Sequence, residues 1–122
     1  MNTEPTVFSR IIARELPADI VFENENIIVI KNIRPMAPIH LLAITKKPFS
    51  SMDELAQSKE PEDKLLLWEL HNVLSAIAHE QGLDKSGYRL STNIGVGGGQ
   101  SVPHLHVHLL AGMNLTEKTL AE

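Results

Sequence analysis

Several short β-branched runs, one long stripe of leucines at helical spacing, and a closing stretch of alternating His and apolar residues predict an α+β fold with a mainly antiparallel sheet. The strands are set apart from the one long helix instead of alternating with helices, which argues against parallel βαβ winding. The 122 residues are one ordinary domain, 1–122, with no internal repeat and no linker.

Each element follows from local pattern. Residues 7–14, VFSRIIAR, carry apolar side chains at the spacing of a short amphipathic helix that ends before Pro17. Residues 19–23 and 26–31 are β-branched runs joined by Asn24-Glu25, the pattern of a hairpin. Pro35 and Pro38 mark a loop, and residues 40–45, HLLAIT, read as a third strand ended by Lys46-Lys47-Pro48. Ser51-Met52-Asp53-Glu54 has capping-box spacing, a common coincidence that predicts one helical turn at most. The main helix follows Pro61, with Glu62 and Asp63 in its first turn to suit the dipole. Leu66, Leu70, Val73 and Ile77 form its buried stripe, and Gly82 closes it. Residues 88–93, YRLSTN, alternate as a strand, Gly95 to Gly99 make a flexible loop, and residues 105–110, LHVHLL, give the last strand.

Composition narrows the function. Apolar residues make up 43% and charged residues 21%, the balance of a folding globular chain. A net charge of −4 offers no general attraction for a nucleic-acid polymer, whose binding needs clustered Lys and Arg, so any bound nucleotide is expected to be small. The absence of Cys excludes disulfides and thiolate zinc sites. Residues 1–10 lack a signal-peptide core and no apolar run is long enough to span a bilayer, which predicts a cytoplasmic protein with no membrane partner.

The chemistry concentrates in residues 98–110, GGQSVPHLHVHLL. Alternation in a strand puts His104, His106 and His108 on one face and Leu105, Val107 and Leu109 on the other. Burying three imidazoles without partners is costly, so the polar face is expected to border a cleft. One zinc ion does not suit the row: residues i and i+4 lie roughly 13 Å apart along a strand, whereas zinc–nitrogen bonds are about 2 Å. A further ligand such as His40 would be needed, and no metal or other cofactor is expected. An extended phosphate-bearing substrate fits better, since imidazoles near neutrality can attack, donate a proton or carry charge. The glycines ahead of the row, Gly99 included, let backbone N–H groups approach an anion, beside the Ser101 hydroxyl and the Gln100 amide. No Lys-Ser or Lys-Thr follows them, and Gln100 breaks a G-x-G-x-x-G pattern, so neither a Walker loop nor a dinucleotide fingerprint is present. His71 and His79 lie on the long helix and are assigned no role.

This stretch resembles the histidine triad signature, His-x-His-x-His followed by two apolar residues, and its Gly-Gly-Gln-Ser lead-in resembles the Hint branch of nucleoside phosphoramidases. The likeness extends through residues 7–12, 33–40 and 87–93. The resemblance implies a HIT-like fold: five antiparallel strands with one long and one or two short helices, continued across a homodimer. It implies cleavage of purine nucleoside phosphoramidates or aminoacyl nucleotides at the α-phosphorus. In that scheme His106 attacks and briefly holds the nucleotide, His108 holds phosphate oxygens, and His40 orients the cluster. His104 supports proton movement to the departing amine. Asn93, Gln100 and Ser101 match positions that contact phosphate and leaving group, while Phe8, Ile11, Ile30 and Ile33 match the walls around the base.

Three departures stand out. Asn32 occupies the place of an Asp whose carboxylate accepts both ribose hydroxyls, which implies weaker nucleotide binding or altered sugar preference. Pro103 replaces a larger side chain, and the tail from residue 113 onward lacks the branch's common ending. Dinucleoside polyphosphate hydrolysis is the neighbouring alternative, although Ala111-Gly112 replaces the Pro-Arg pair usual there. A nucleotide-binding dimeric regulator with little turnover is the non-enzymatic alternative.

Overall fold

Five antiparallel strands in the order β1-β2-β3-β5-β4 form the frame of the protein in a computed structural model, which describes residues 4–119. The strands are β1 (Ile20–Glu23), β2 (Ile27–Lys31), β3 (Ile39–Thr45), β4 (Arg89–Ser91) and β5 (His106–Ala111). The helices are α1 (Val7–Ile12), α2 (Met52–Gln57), α3 (Pro61–Glu80) and α4 (Leu83–Ser86). Because β5 returns between β3 and β4, the two strands that carry His40, His106 and His108 are neighbours inside the sheet. Their register sets Leu42 opposite His108 and Ile44 opposite His106.

Both sheet faces are covered, unequally. Val29, Leu41, Ala43, Val107 and Leu109 pack against Leu66, Leu70, Leu74 and Ile77 of α3, a 20-residue helix. On the other face Ile28, Ile30, Leu42 and Ile44 meet Phe8 and Ile11 of α1, which has six residues. The short cover leaves room for a cavity.

The main features match the sequence reading, with four differences. First, α1 ends two residues early, because Arg14 turns to a φ of 64°; it opens on a capping box in which the side chains of Thr6 and Ser9 each accept the other's backbone N–H. Second, residues 52–57 are a full helix, yet Ser51 gives no side-chain cap; Glu54 accepts the Ser50 N–H instead. Third, with α4 there are three short helices, not one or two; Gly82, at a φ of 75°, ends α3 and lets the chain wind at once into α4. Fourth, β4 is shorter than expected and β5 starts at His106, since the Leu105 N–H leaves the ladder for the Phe49 carbonyl at 2.8 Å. Ahead of β5, Val96–Gly98 form a 3-10 turn. No helix among the described residues is long and apolar enough to cross a membrane. Past β5 the chain runs back along β4, where the Arg89 guanidinium donates to the Thr116 and Thr119 carbonyls; residues 120–122 of the tail lie outside the described residues.

Candidate active site

A cavity of about 620 Å³ opens between α1 and the middle of the sheet. Phe8 and Ile11 of α1, Ile30 of β2 and Leu42 of β3 make its apolar wall, with Leu16, Pro17 and Ala18 from the segment after α1. His106 and His108 of β5, His40 of β3, Asn32 and Ser101 supply its polar groups. Four histidines, His40, His104, His106 and His108, are buried. Each has a defined partner, as burial of a polar ring requires.

Those partners fix where the protons sit, because a backbone carbonyl only accepts and a backbone N–H only donates. His106 Nδ1 lies 2.7 Å from the His104 carbonyl, so Nδ1 carries the hydrogen and neutral His106 has its lone pair on Nε2. His104 Nε2 lies 2.6 Å from the Thr45 carbonyl and donates to it. His40 Nδ1 accepts the Met36 N–H at 3.0 Å, so its own hydrogen is on Nε2. That Nε2–H points at His108 Nδ1, 2.9 Å away, which puts the His108 hydrogen on Nε2. A buried ring with fixed tautomer and lone pair is poised to attack; a neighbouring N–H is poised to hold an oxygen.

The electrostatics favour neutral rings at His40 and His104. Burial pushes the His40 pKa below the ordinary histidine value. Burial also lowers His104, the Thr45 carbonyl works the other way, and the nearby His106 adds a further lowering. The Phe8 ring meets His106 edge-on with centroids 4.8 Å apart, and His106 in turn meets His108 at 5.1 Å. The nucleophile candidate is thus clamped from both sides.

Of the residues singled out from sequence, His40, His106, His108, Ser101, Asn32, Ile30, Ile33, Phe8 and Ile11 all line the cavity, Ile33 as a 91% exposed rim residue. His104, Asn93, Gln100 and Gly99 do not. His104 stands outside the β5 ladder: Pro103 lacks an N–H, the His104 N–H turns back to the Val102 carbonyl, and the ring meets Phe8 with centroids 6.2 Å apart. Gln100 is a loop clamp whose amide oxygen accepts the Gly95 N–H, while its nitrogen donates to the Ser50 and Val102 carbonyls. The N–H groups of Gly98, Gly99 and Gln100 also close on the loop itself, so these donors do not face an anion. Asn93 donates to the Gly98 carbonyl, beside Gly99, whose φ of 87° is a glycine conformation. His79 reaches Asp84 at 3.5 Å on the surface, and His71 is exposed.

Sequence reasoning missed Met36, which acts through its main-chain N–H, and Thr92, whose hydroxyl ties β4 to the His106 carbonyl at 2.8 Å. Pro35 and Pro38 announced a loop, but no pattern announces which of its amides meets an imidazole. Among the described residues no group of three or more His, Cys, Asp or Glu side chains is gathered to hold a metal ion.

Residues 5–119 match the family described as Scavenger mRNA decapping enzyme C-term binding. An uncharacterized HIT-like protein of Synechococcus elongatus is 42% identical over 113 residues, which cover 93% of this chain and 95% of that one. The chain belongs to the histidine triad family. Within this family the purine nucleoside phosphoramidase of Escherichia coli K12 is 37% identical over 112 residues, covering 92% of this chain and 91% of its own. A solved histidine triad structure, a HIT family hydrolase from Clostridium thermocellum, superposes with a TM-score of 0.84 at 39% identity, covering 98% of this chain and all of that one. At this coarse level the protein is a histidine triad hydrolase.

Proposed function

We propose that the protein hydrolyses purine nucleoside 5′-phosphoramidates, or aminoacyl-adenylates, at the α-phosphorus. His106 is the nucleophile: its Nε2 lone pair attacks phosphorus, the bond from phosphorus to the departing group breaks, and a nucleotidyl-histidine forms. Water then attacks the same phosphorus, the bond to Nε2 breaks, and the nucleoside monophosphate leaves. The single observation that carries this reading is the 2.7 Å bond from His106 Nδ1 to the His104 carbonyl, which commits the lone pair to the other nitrogen.

The surrounding groups take supporting roles. The His108 Nε2–H holds a phosphate oxygen as charge redistributes in the transition state. Ser101, exposed at the cavity, is the donor nearest the departing amine. His104 acts on the nucleophile through its carbonyl, and the apolar wall of Phe8, Ile11, Ile30 and Leu42 receives the base. Homodimerisation belongs to the same reading and is checked by molar mass in solution.

The test is a panel of nucleoside phosphoramidates and a diadenosine polyphosphate, assayed with wild type and His106→Ala. Fast release of amine from the phosphoramidates, loss of at least about a thousandfold in kcat in the variant with nucleotide affinity retained, and a nucleotide trapped on His106 are expected. Faster cleavage of the polyphosphate selects dinucleoside hydrolysis, and tight nucleotide binding without turnover selects a regulator.

A further inference from the structure

The pair His40–His108 shares one hydrogen along a 2.9 Å contact, and a third group stands beside it. Asn32 Nδ2 lies 3.3 Å from His40 Nε2. The amide cannot turn over, because its Oδ1 accepts the Arg34 N–H at 2.9 Å. Nor does it donate to His40: the Met36 N–H already holds the Nδ1 lone pair, and a neutral imidazole has only one. Asn32 therefore presents the positive end of its dipole to a ring nitrogen that is itself a donor.

We propose that Asn32 is a positioning residue that leaves the His40 Nε2–H with no acceptor but His108, and so fixes His108 as its Nε2–H tautomer. A carboxylate in this place would keep one oxygen on the Arg34 N–H and offer the other to His40 Nε2–H. It would compete with His108 for that hydrogen and favour a charged His40. A charged His40 needs a second hydrogen on Nδ1, where the Met36 N–H points, so the loop carrying Met36 would have to release the ring. The amide prevents both changes.

Among the described residues no other group supplies what a carboxylate would. From β5, His40 faces His108, with His106 beyond it. From β4, Arg89 pairs with Leu110, the cross-strand partner of His40, but its guanidinium is held by the Thr116 and Thr119 carbonyls. Arg34 and Lys31 line the cavity from the β2 side, Lys31 with Asp19 at 3.5 Å outside. No Asp or Glu is among the described residues that line the cavity. Burial, which lowers the His40 pKa, acts in the same direction as the amide.

The test is ring-nitrogen NMR of the full chain, wild type against Asn32→Asp, followed across pH. The wild type is expected to keep the hydrogen on His40 Nε2 with an accepting Nδ1, and His108 as its Nε2–H tautomer. In N32D, His40 should take up its second proton about one pH unit or more higher, and the His108 tautomer should become mixed. The acid limb of kcat/KM should move upward by a similar amount, while the thermal midpoint at pH 8 stays put. Identical ring titrations in the two proteins, or a wild-type His40 carrying its hydrogen on Nδ1, would overturn the proposal. The spectra need no substrate, so a failure of the proposed phosphoramidate chemistry leaves this test standing.

Discussion

The two faces of the sheet are made by the same strands and covered to different ends. Along β5, Val107 and Leu109 point into the α3 layer while His106 and His108 point into the α1 layer, and all four are buried. Facing α3, apolar side chains predominate and their burial supplies stability. Facing α1, the sheet buries imidazoles that each need a partner: His40 has the Met36 N–H ahead of β3, His104 the Thr45 carbonyl at the end of β3, His106 the His104 carbonyl ahead of β5, and His108 the His40 ring. A six-residue cover over a four-histidine layer leaves a hollow, whereas a 20-residue helix packs along the apolar face. One face is built to hold the sheet together and the other to hold something else.

Truncating one residue on each face separates these jobs. Leu109→Ala removes a fully buried side chain from the α3 face and should cost about 2–5 kcal/mol of stability, read by urea unfolding, with turnover per folded molecule unchanged. His106→Ala should do the reverse. Equal losses of stability in the two variants would erase the distinction.

Acid sharpens it next. His40 and His104 have folded pKa values below the ordinary 6.5, so as pH falls the unfolded chain takes up protons first. Their contribution is complete above about 6.5 and declines as pH drops from there toward the folded values. The Lys47–Asp63 bridge beside α3 does not move in this window. Asp63 is lowered by Lys47 and Ser58 and so contributes above its unfolded value near 3.8, while Lys47 is raised by Asp63 and contributes below about 10.5. Thermal midpoints between pH 7 and 5 should therefore fall, and replacing His104 with Asn should flatten the slope.

A smaller effect is expected at the clamp. Gln100→Ala removes one acceptor and two donors that tie the glycine loop to Ser50 and Val102, next to Ser101. A fall in kcat of about tenfold is expected, with faster amide exchange at Gly95 as the independent readout. An unchanged exchange rate would mean the loop holds its shape without Gln100. The mildest change is Thr6→Ala, which deletes one half of the α1 capping box and should cost about 1 kcal/mol. Because α1 carries Phe8 and Ile11, KM should rise with little change in kcat.

Much of this was written in the sequence. The alternation of Leu105 to Leu110 gave β5 its faces, and the stripe Leu66, Leu70, Val73, Ile77 gave α3 its buried side, because both depend on periodicity alone. The capping box at Thr6 escaped notice because Ser9 stands where Glu or Gln is usual. His104 and Gln100 stand outside the cavity lining for a different reason. The first is steered by a turn at Pro103 and the second by carbonyls about 50 residues away in sequence or just beyond, and neither influence has a spacing to read. Side-chain chemistry points to a candidate site; the main-chain contacts that assign each hydrogen are visible only in three dimensions.

The oxygen that aims His106 is a peptide oxygen, two residues upstream in the same segment. Point substitution at 104 can alter the ring there without removing that acceptor, so the side chain can be revised while the His106 ring keeps its aim. Inserting or deleting a single residue between 103 and 106 would swing the imidazole away while leaving every histidine in place.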